Sequence, residues 1–293
     1  MPIYFLAHAG EHHLEAGEVM RWWSFEPVVT ATIVLTLALY TAGLVRSRGG
    51  RLWPAISFYA GCASLIVALI SPLDALGGIL FSAHMAQHEV LMVIAAPLLV
   101  LGRPLAAFVW ALPAAWRLPV ARVAQQRTFA TAWHTATSPL VAATAHALAL
   151  WIWHTPSLYQ ATLRSDFVHS LQHISFLGTA MLFWWTLIHG RFGRIGYGVA
   201  VFYVFVTMIH SGALGALLTF SPHVWYPIYR ATTMRWGLDP IEDQQLAGLI
   251  MWVPAGVIFV VLGIALFVGW LAEAERRVRL TESEMLIEET KRG

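Results

Sequence analysis

Seven stretches of this chain are apolar enough, over enough residues, to cross a lipid bilayer as helices, and that limits the fold before any single residue is weighed. A hydrocarbon core about 30 Å thick needs about 20 apolar residues per helix. The segments 26–45, 53–71, 79–101, 139–157, 167–189, 196–220 and 244–271 meet that need. Backbone groups in lipid must find their hydrogen bonds within the segment itself, so runs of this length are helices. The expected fold class is therefore all-α, a polytopic membrane helical bundle with about seven transmembrane helices. Charged residues make up 12% of the chain against 58% hydrophobic. A soluble domain carries about twice that charge, and a lipid-facing surface accounts for the deficit.

Orientation follows from where the arginines fall. Arg46, Arg48 and Arg51 form one cluster, Arg103, Arg117, Arg122 and Arg127 a second, and Arg191 with Arg194 a third. Arg276, Arg277 and Arg279 follow in the tail, so every second connection is basic. The other connections and the N-terminal tail hold only Arg21, Arg164, Arg230 and Arg235. The positive-inside rule then places the N-terminus outside and the C-terminus in the cytoplasm, an outcome that an odd number of spans requires. Residues 1–25 are read as an external histidine-containing tail, 26–271 as the seven-span membrane domain and 272–293 as a charged cytoplasmic tail extending the last helix. The segment from Arg103 to Thr137, with its tryptophans, prolines and arginines, suits the interface rather than an eighth span. Pro254 is expected to bend the last helix and free a carbonyl. The N-terminus lacks the basic start of a cleaved leader. A formal net charge of +2 gives no basic surface for nucleic acid, and the partner implied by composition is membrane lipid.

Against this apolar background the histidines stand out. The third segment contains HMAQH, with His84 and His88 four residues apart, and the fifth contains HSLQH, with His169 and His173 at the same spacing. Four residues bring two rings onto one helix face. Both segments enter from the outer side, so the four imidazoles fall within the first two turns. His154, in WIWHTP, sits near the outer end of the fourth segment, and His210, in VTMIHSG, in the outer half of the sixth. Ionisable residues inside a membrane mark functional sites by default. A lone histidine in a span is as often an interhelical hydrogen bonder, but two pairs at ligand spacing and equal depth point to a metal or haem site.

Imidazole suits zinc, copper, iron and nickel, whereas thioethers favour cuprous copper. Met85 lies inside HMAQH, and Met92, Met208 and Met251 lie elsewhere in the spans. Most methionines only fill gaps, so they tilt the choice toward copper without deciding it. Glu89 is open to three readings: a group orienting an imidazole, a ligand, or a protonated carboxyl at a helix contact. His146 and His189 fall in the inner halves of their helices and are read as structural. His8, His12 and His13 are candidates for capturing a metal outside, or form a solvated tail. The single cysteine, Cys62, permits neither a disulfide nor a paired-thiolate site within one chain. The tryptophans near helix ends make an aromatic belt.

HMAQH followed by APLLVLGRP, then WIWHTPSLYQATL, then HSLQHISF with LFWW, and finally DQQLAGLIMWVPAG run in order over about Ser71 to Ala272. In these stretches the chain resembles the multi-span CtaG family of cytochrome c oxidase assembly factors, as distinct from the unrelated single-span copper chaperone of the same name. The resemblance implies a non-enzymatic role in the bacterial inner membrane, maturing a haem-copper oxidase by supplying copper to its catalytic subunit, with an external copper chaperone as a possible donor. The residues it carries over are His84, His88, His154, His169 and His173, with Asp243 and Gln244 at the outer mouth. Two other classes compete. Imidazoles from facing helices ligate haem iron in electron carriers. Three ligands with an open water position and a carboxylate base such as Glu89 or Asp243 would make a zinc hydrolase.

Overall fold

The computed structural model describes residues 16–47, 52–190 and 196–292. His8, His12 and His13, with Arg48, Arg51, Arg191 and Arg194, lie outside the described residues. The chain is all-α, with no strand among the described residues.

The first two spans are α1 (Pro27–Ser47) and α2 (Leu52–Leu69). Ser71 then caps α3 (Pro72–Gly77), with Pro72 in its first turn and Asp74 at the end where the helix dipole favours an acid. The third span is α4 (Phe81–Leu101). Three short helices follow, α5 (Pro104–Ala111), α6 (Ala114–Gln125) and α7 (Arg127–Ala136). Arg103 turns into α5 through left-handed backbone at φ 50°. After them come α8 (Pro139–Trp153), α9 (Pro156–Thr162), α10 (Asp166–His189) and α11 (Tyr197–Phe220). The short α12 (Arg230–Arg235) leads to α13 (Pro240–Arg292), which continues through Pro254 and carries the last span into the charged tail as one helix.

Six helices have the length and apolarity to cross a membrane, and a seventh span is present if α7 and α8, bent by 59° at their junction, count as one. The straight segment expected over 139–157 is shorter: α8 has 15 residues and ends at Trp153. Pro156 is the cause. The residue before a proline is driven from helical to extended backbone, and Thr155 sits at ψ 134° before α9 starts afresh.

Helices α4, α10, α8, α11 and α13 pack in that order into a closed ring, with α2 against the outer side of α4 and α1 clasping α5. In α4, 56% of the span is buried, against 17–39% in the other five long spans, so α4 is the axis of the bundle. Between α11 and α13 the backbones approach closely. A Cβ on Gly248 would fall 2.4 Å from Thr219 Oγ1 and 2.7 Å from the Gly215 carbonyl oxygen. Such small-residue seams replace the hydrophobic drive that lipid removes.

Within α4 the turn Val90–Ala95 is a π-helix, and its cause is Pro97. Ala96 N donates to the Leu91 carbonyl in the wide pattern. The next bond would run from residue 97 to Met92, but proline has no N–H. Trp184 Nε1, from α10, donates to the Met92 carbonyl at 2.8 Å instead. A carbonyl freed by proline in the membrane is thus satisfied by the neighbouring helix.

Candidate metal centre

Helix α4 begins without a cap of its own, because Leu80 offers no side-chain acceptor. The cap comes from α13. Asp243 Oδ2 accepts from Phe81 N at 2.8 Å, and Oδ1 accepts from Ser82 N at 3.1 Å and Ser82 Oγ at 2.5 Å. A carboxylate on free N–H groups at the positive end of a helix is a strong, directed contact. The next residue, Gln244, accepts from Trp225 N at 2.7 Å and donates to the His223 carbonyl at 3.0 Å, fastening the connection after α11. Asp243 and Gln244 are both buried, so this pair locks α4, α11 and α13 together at one end of the bundle.

The histidines lie just inside that lock. His84 and His88 are wholly buried, whereas His169 and His173, on α10, are partly exposed as residues while their Nε2 atoms are buried. The ring centroids of His84 lie 5.3 Å from His169 and 6.3 Å from His173, and those of His88 lie 5.4 Å from His173 and 6.5 Å from His154. His84, His169 and His173 bring one ring nitrogen each to within 4.8 Å of one another. Imidazole–metal bonds of about 2.0–2.1 Å set nitrogens roughly 3.3 Å apart in a tetrahedron, so small ring rotations close the triad on one ion.

Hydrogen bonds also set which nitrogen is free. His84 Nδ1 faces the Gly77 carbonyl at 3.3 Å and His154 Nδ1 the Leu150 carbonyl at 2.7 Å. A carbonyl only accepts, so in both rings Nδ1 carries the hydrogen and Nε2 is left as a lone pair. Both Nε2 atoms are buried without a hydrogen-bond partner, as are His173 Nε2 and the two nitrogens of His88. Buried lone pairs without donors are costly unless something binds them. Fixing the tautomer through the second nitrogen is the ordinary way a protein prepares an imidazole for a metal.

Three tyrosines frame the cluster. Tyr229 Oη donates to the Gly77 carbonyl at 2.8 Å, and Tyr159 Oη, 3.1 Å from Tyr229 Oη, therefore donates to it. Tyr226 Oη donates to the His154 carbonyl at 2.7 Å. Burial raises the Tyr226 and Tyr229 hydroxyls far above their ordinary range, so both remain protonated donors. Sequence reasoning passed over these tyrosines and Gln172, which is buried on α10. Its place three residues after His169 was the signal for Gln172.

Other candidates lie elsewhere. Asp243 Oδ1 and Oδ2 are engaged in capping α4. Met85 is buried in the apolar core with Phe81 and Met92. Glu89 lines a separate cavity deeper in the ring. His210 is half-buried near the middle of α11 and makes no ring contact with the cluster among the described residues. Cys62 is buried and free on α2. In the connection before α4, burial pushes the Asp74 carboxyl above its usual range, opposed by donation from Gln87 Nε2 at 2.7 Å and Ser24 Oγ at 3.3 Å.

Residues 38–273, which include the five clustered histidines, Asp243 and Gln244, match the cytochrome c oxidase caa3 assembly factor family. The chain belongs to that family. An uncharacterized protein of Mycobacterium bovis is 30% identical to this chain over 280 residues, covering 91% of the chain and 42% of the relative. An uncharacterized protein of Mycobacterium tuberculosis matches to the same extent. One of Mycobacterium leprae is 28% identical over 278 residues, 89% of the chain and 41% of the relative. The chain thus spans about two fifths of the length of these curated relatives. No solved structure matches the chain.

Proposed function

We propose that this protein acts as an oxidase assembly factor that binds copper through its intramembrane histidines and hands it to the catalytic subunit of a haem-copper oxidase, without catalysing a reaction of its own. The observation that carries the reading is the convergence of ring nitrogens from His84, His169 and His173 within 4.8 Å. Orphaned nitrogens of His88 and His154 stand beside them. In the orientation given by the arginines, the cluster lies near the outer face of the inner membrane, the side from which an external copper chaperone would deliver its ion.

The two competing classes have less support. Ring centroids only 4–6 Å apart, as between His169 and His173 at 4.2 Å, leave no gap for a porphyrin between the imidazoles. A hydrolytic zinc site needs a base beside its water, and the metal-ligand group found among the described residues contains histidine alone.

The test pairs two measurements on a His84→Ala/His173→Ala variant: copper bound to the purified chain, and copper in the oxidase of strains holding equal amounts of either protein. The expected result is an affinity loss of about 100-fold or more and an oxidase lacking copper beside its haem. Added copper should restore part of it by mass action. A fully copper-loaded oxidase with the variant present at the normal level would overturn the reading.

A further inference from the structure

Beneath the histidine cluster, inside the five-helix ring, lies a cavity of about 20 Å³. A water-sized occupant needs about 10–15 Å³, so the space admits one small species. Its chemically distinctive lining is Glu89, Met92, His146, Thr207, Ser211 and Met251, contributed by four of the ring helices.

Every donor in that lining whose bonds can be traced is already engaged. Thr207 Oγ1 donates to the Tyr203 carbonyl at 2.9 Å and Ser211 Oγ to the Thr207 carbonyl at 2.8 Å, each within its own helix. Trp184 Nε1 is held by the Met92 carbonyl. Thr179 Oγ1 gives its hydrogen to the Ser175 carbonyl at 2.7 Å, so at 3.2 Å it accepts from His146 Nδ1. His146 therefore keeps the Nε2 lone pair. Glu89 Oε2 is buried without a hydrogen-bond partner. The side chains left to hold an occupant are the His146 imidazole, the Glu89 carboxyl, the Thr207 and Ser211 hydroxyl oxygens and the thioethers of Met92 and Met251. Such a lining calls for a Lewis acid. Two thioethers beside an imidazole favour cuprous copper over harder cations, and one carboxylate balances one positive charge.

We infer that the cavity is a second, deeper cuprous-copper site, with Met92, Met251 and His146 as ligands and Glu89 as the compensating charge. It deepens the copper reading above and rests on it. The two sites are one helical turn apart along two elements. Met92 follows His88 by four residues, about 6 Å of rise, and Leu150, whose carbonyl holds His154, lines the cavity. A cuprous ion can thus pass inward by exchange of imidazole for thioether with no change of oxidation state. His146, read from the sequence as structural, becomes a ligand.

The experiment uses the full-length protein in detergent, loaded anaerobically with cuprous ion under a competing chelator, and read by copper stoichiometry and X-ray absorption. Wild type should bind two copper ions per chain with both nitrogen and sulfur neighbours. Met92→Leu/Met251→Leu, which conserves volume and so spares packing, should bind one and lose the sulfur neighbours. His84→Ala/His173→Ala should keep the sulfur-ligated ion. One copper per chain in wild type with nitrogen neighbours alone, or sulfur neighbours that persist in the double leucine variant, overturns the deeper site and leaves the histidine centre standing. No copper on wild type overturns both.

Discussion

The two polar places in this bundle are built in opposite ways. The histidine centre is held by bonds that reach across the chain: Asp243 to Phe81, 162 residues apart, and Tyr229 to Gly77, 152 apart. The cavity one turn below is bounded by hydroxyls that bond four residues back in their own helices. Its shape depends on how five helices pack. The first place exists only once the tertiary lock has closed, whereas the second follows from secondary structure and packing. The mouth of the bundle is thus fixed by contacts from α13 and the connection before it, whereas the bonds that cross between helices at the cavity are those of His146 to Thr179 and Trp184 to Met92.

Asp243→Asn probes that difference with the largest expected effect. It removes the charge from the cap of α4 while keeping its size, and charge-assisted hydrogen bonds contribute about 1.5–3 kcal/mol. The melting temperature should fall, and copper affinity at the histidine centre should drop about tenfold, as for other residues that orient ligands. Sulfur-ligated copper should stay. Equal losses at both sites, read by absorption spectroscopy, would abolish the distinction.

A smaller effect is expected from Trp184→Phe, which leaves the Met92 carbonyl without its donor. Interhelical hydrogen bonds in membranes contribute about 0.6 kcal/mol on average and at most about 1.7, so a modest loss of thermal stability should appear with copper at the histidine centre intact. A drop in nitrogen-ligated copper matching that of Asp243→Asn would place the lock in the ring rather than at its mouth.

The smallest effect concerns Asp74. Its folded pKa is raised by burial above the unfolded value, so between the two the folded chain holds a proton that the unfolded chain has lost. Stability contributed by the protonated group is present at low pH and declines as pH rises through that window. Asp74→Asn should flatten this decline in melting temperature. An unchanged pH profile would show that the hydrogen bonds from Gln87 and Ser24 offset the burial.

Much of this was legible in the residues themselves. Helices announce themselves by apolar length, and the two HxxxH pairs announce a shared face because the spacing is local. The lock was not legible in the same way. Asp243 was read as a candidate metal or base residue because a carboxylate near histidines suggests chemistry, yet the clue lay in Leu80, a position where a capping serine or aspartate is missing. A bend and a freed carbonyl were expected at Pro254, through which α13 continues. The freed carbonyl whose partner the structure shows is at Pro97, where Trp184 supplies the donor to Met92. The rule that residues before proline leave the helix was present at Thr155, and applying it would have ended α8 at Trp153. Tyr226 and Tyr229 lie outside the recognisable stretches and Tyr159 inside one, WIWHTPSLYQATL, but their roles arise from segments brought together only by the fold.

The brevity of α8 has a consequence for the surrounding lipid. Fifteen residues rise about 22 Å, whereas the 24 of α10 rise about 36 Å. Thr186 on α10 donates to the Thr137 carbonyl just before α8, so the two helices are level at the arginine end and the whole shortfall lies above His154. There α9 turns aside along α10. Acyl chains beside α8 meet an apolar wall shorter than their own leaflet span, and such mismatch is relieved by local thinning. The bilayer should dimple over the imidazoles, bringing water and any docking partner down to the histidine cluster.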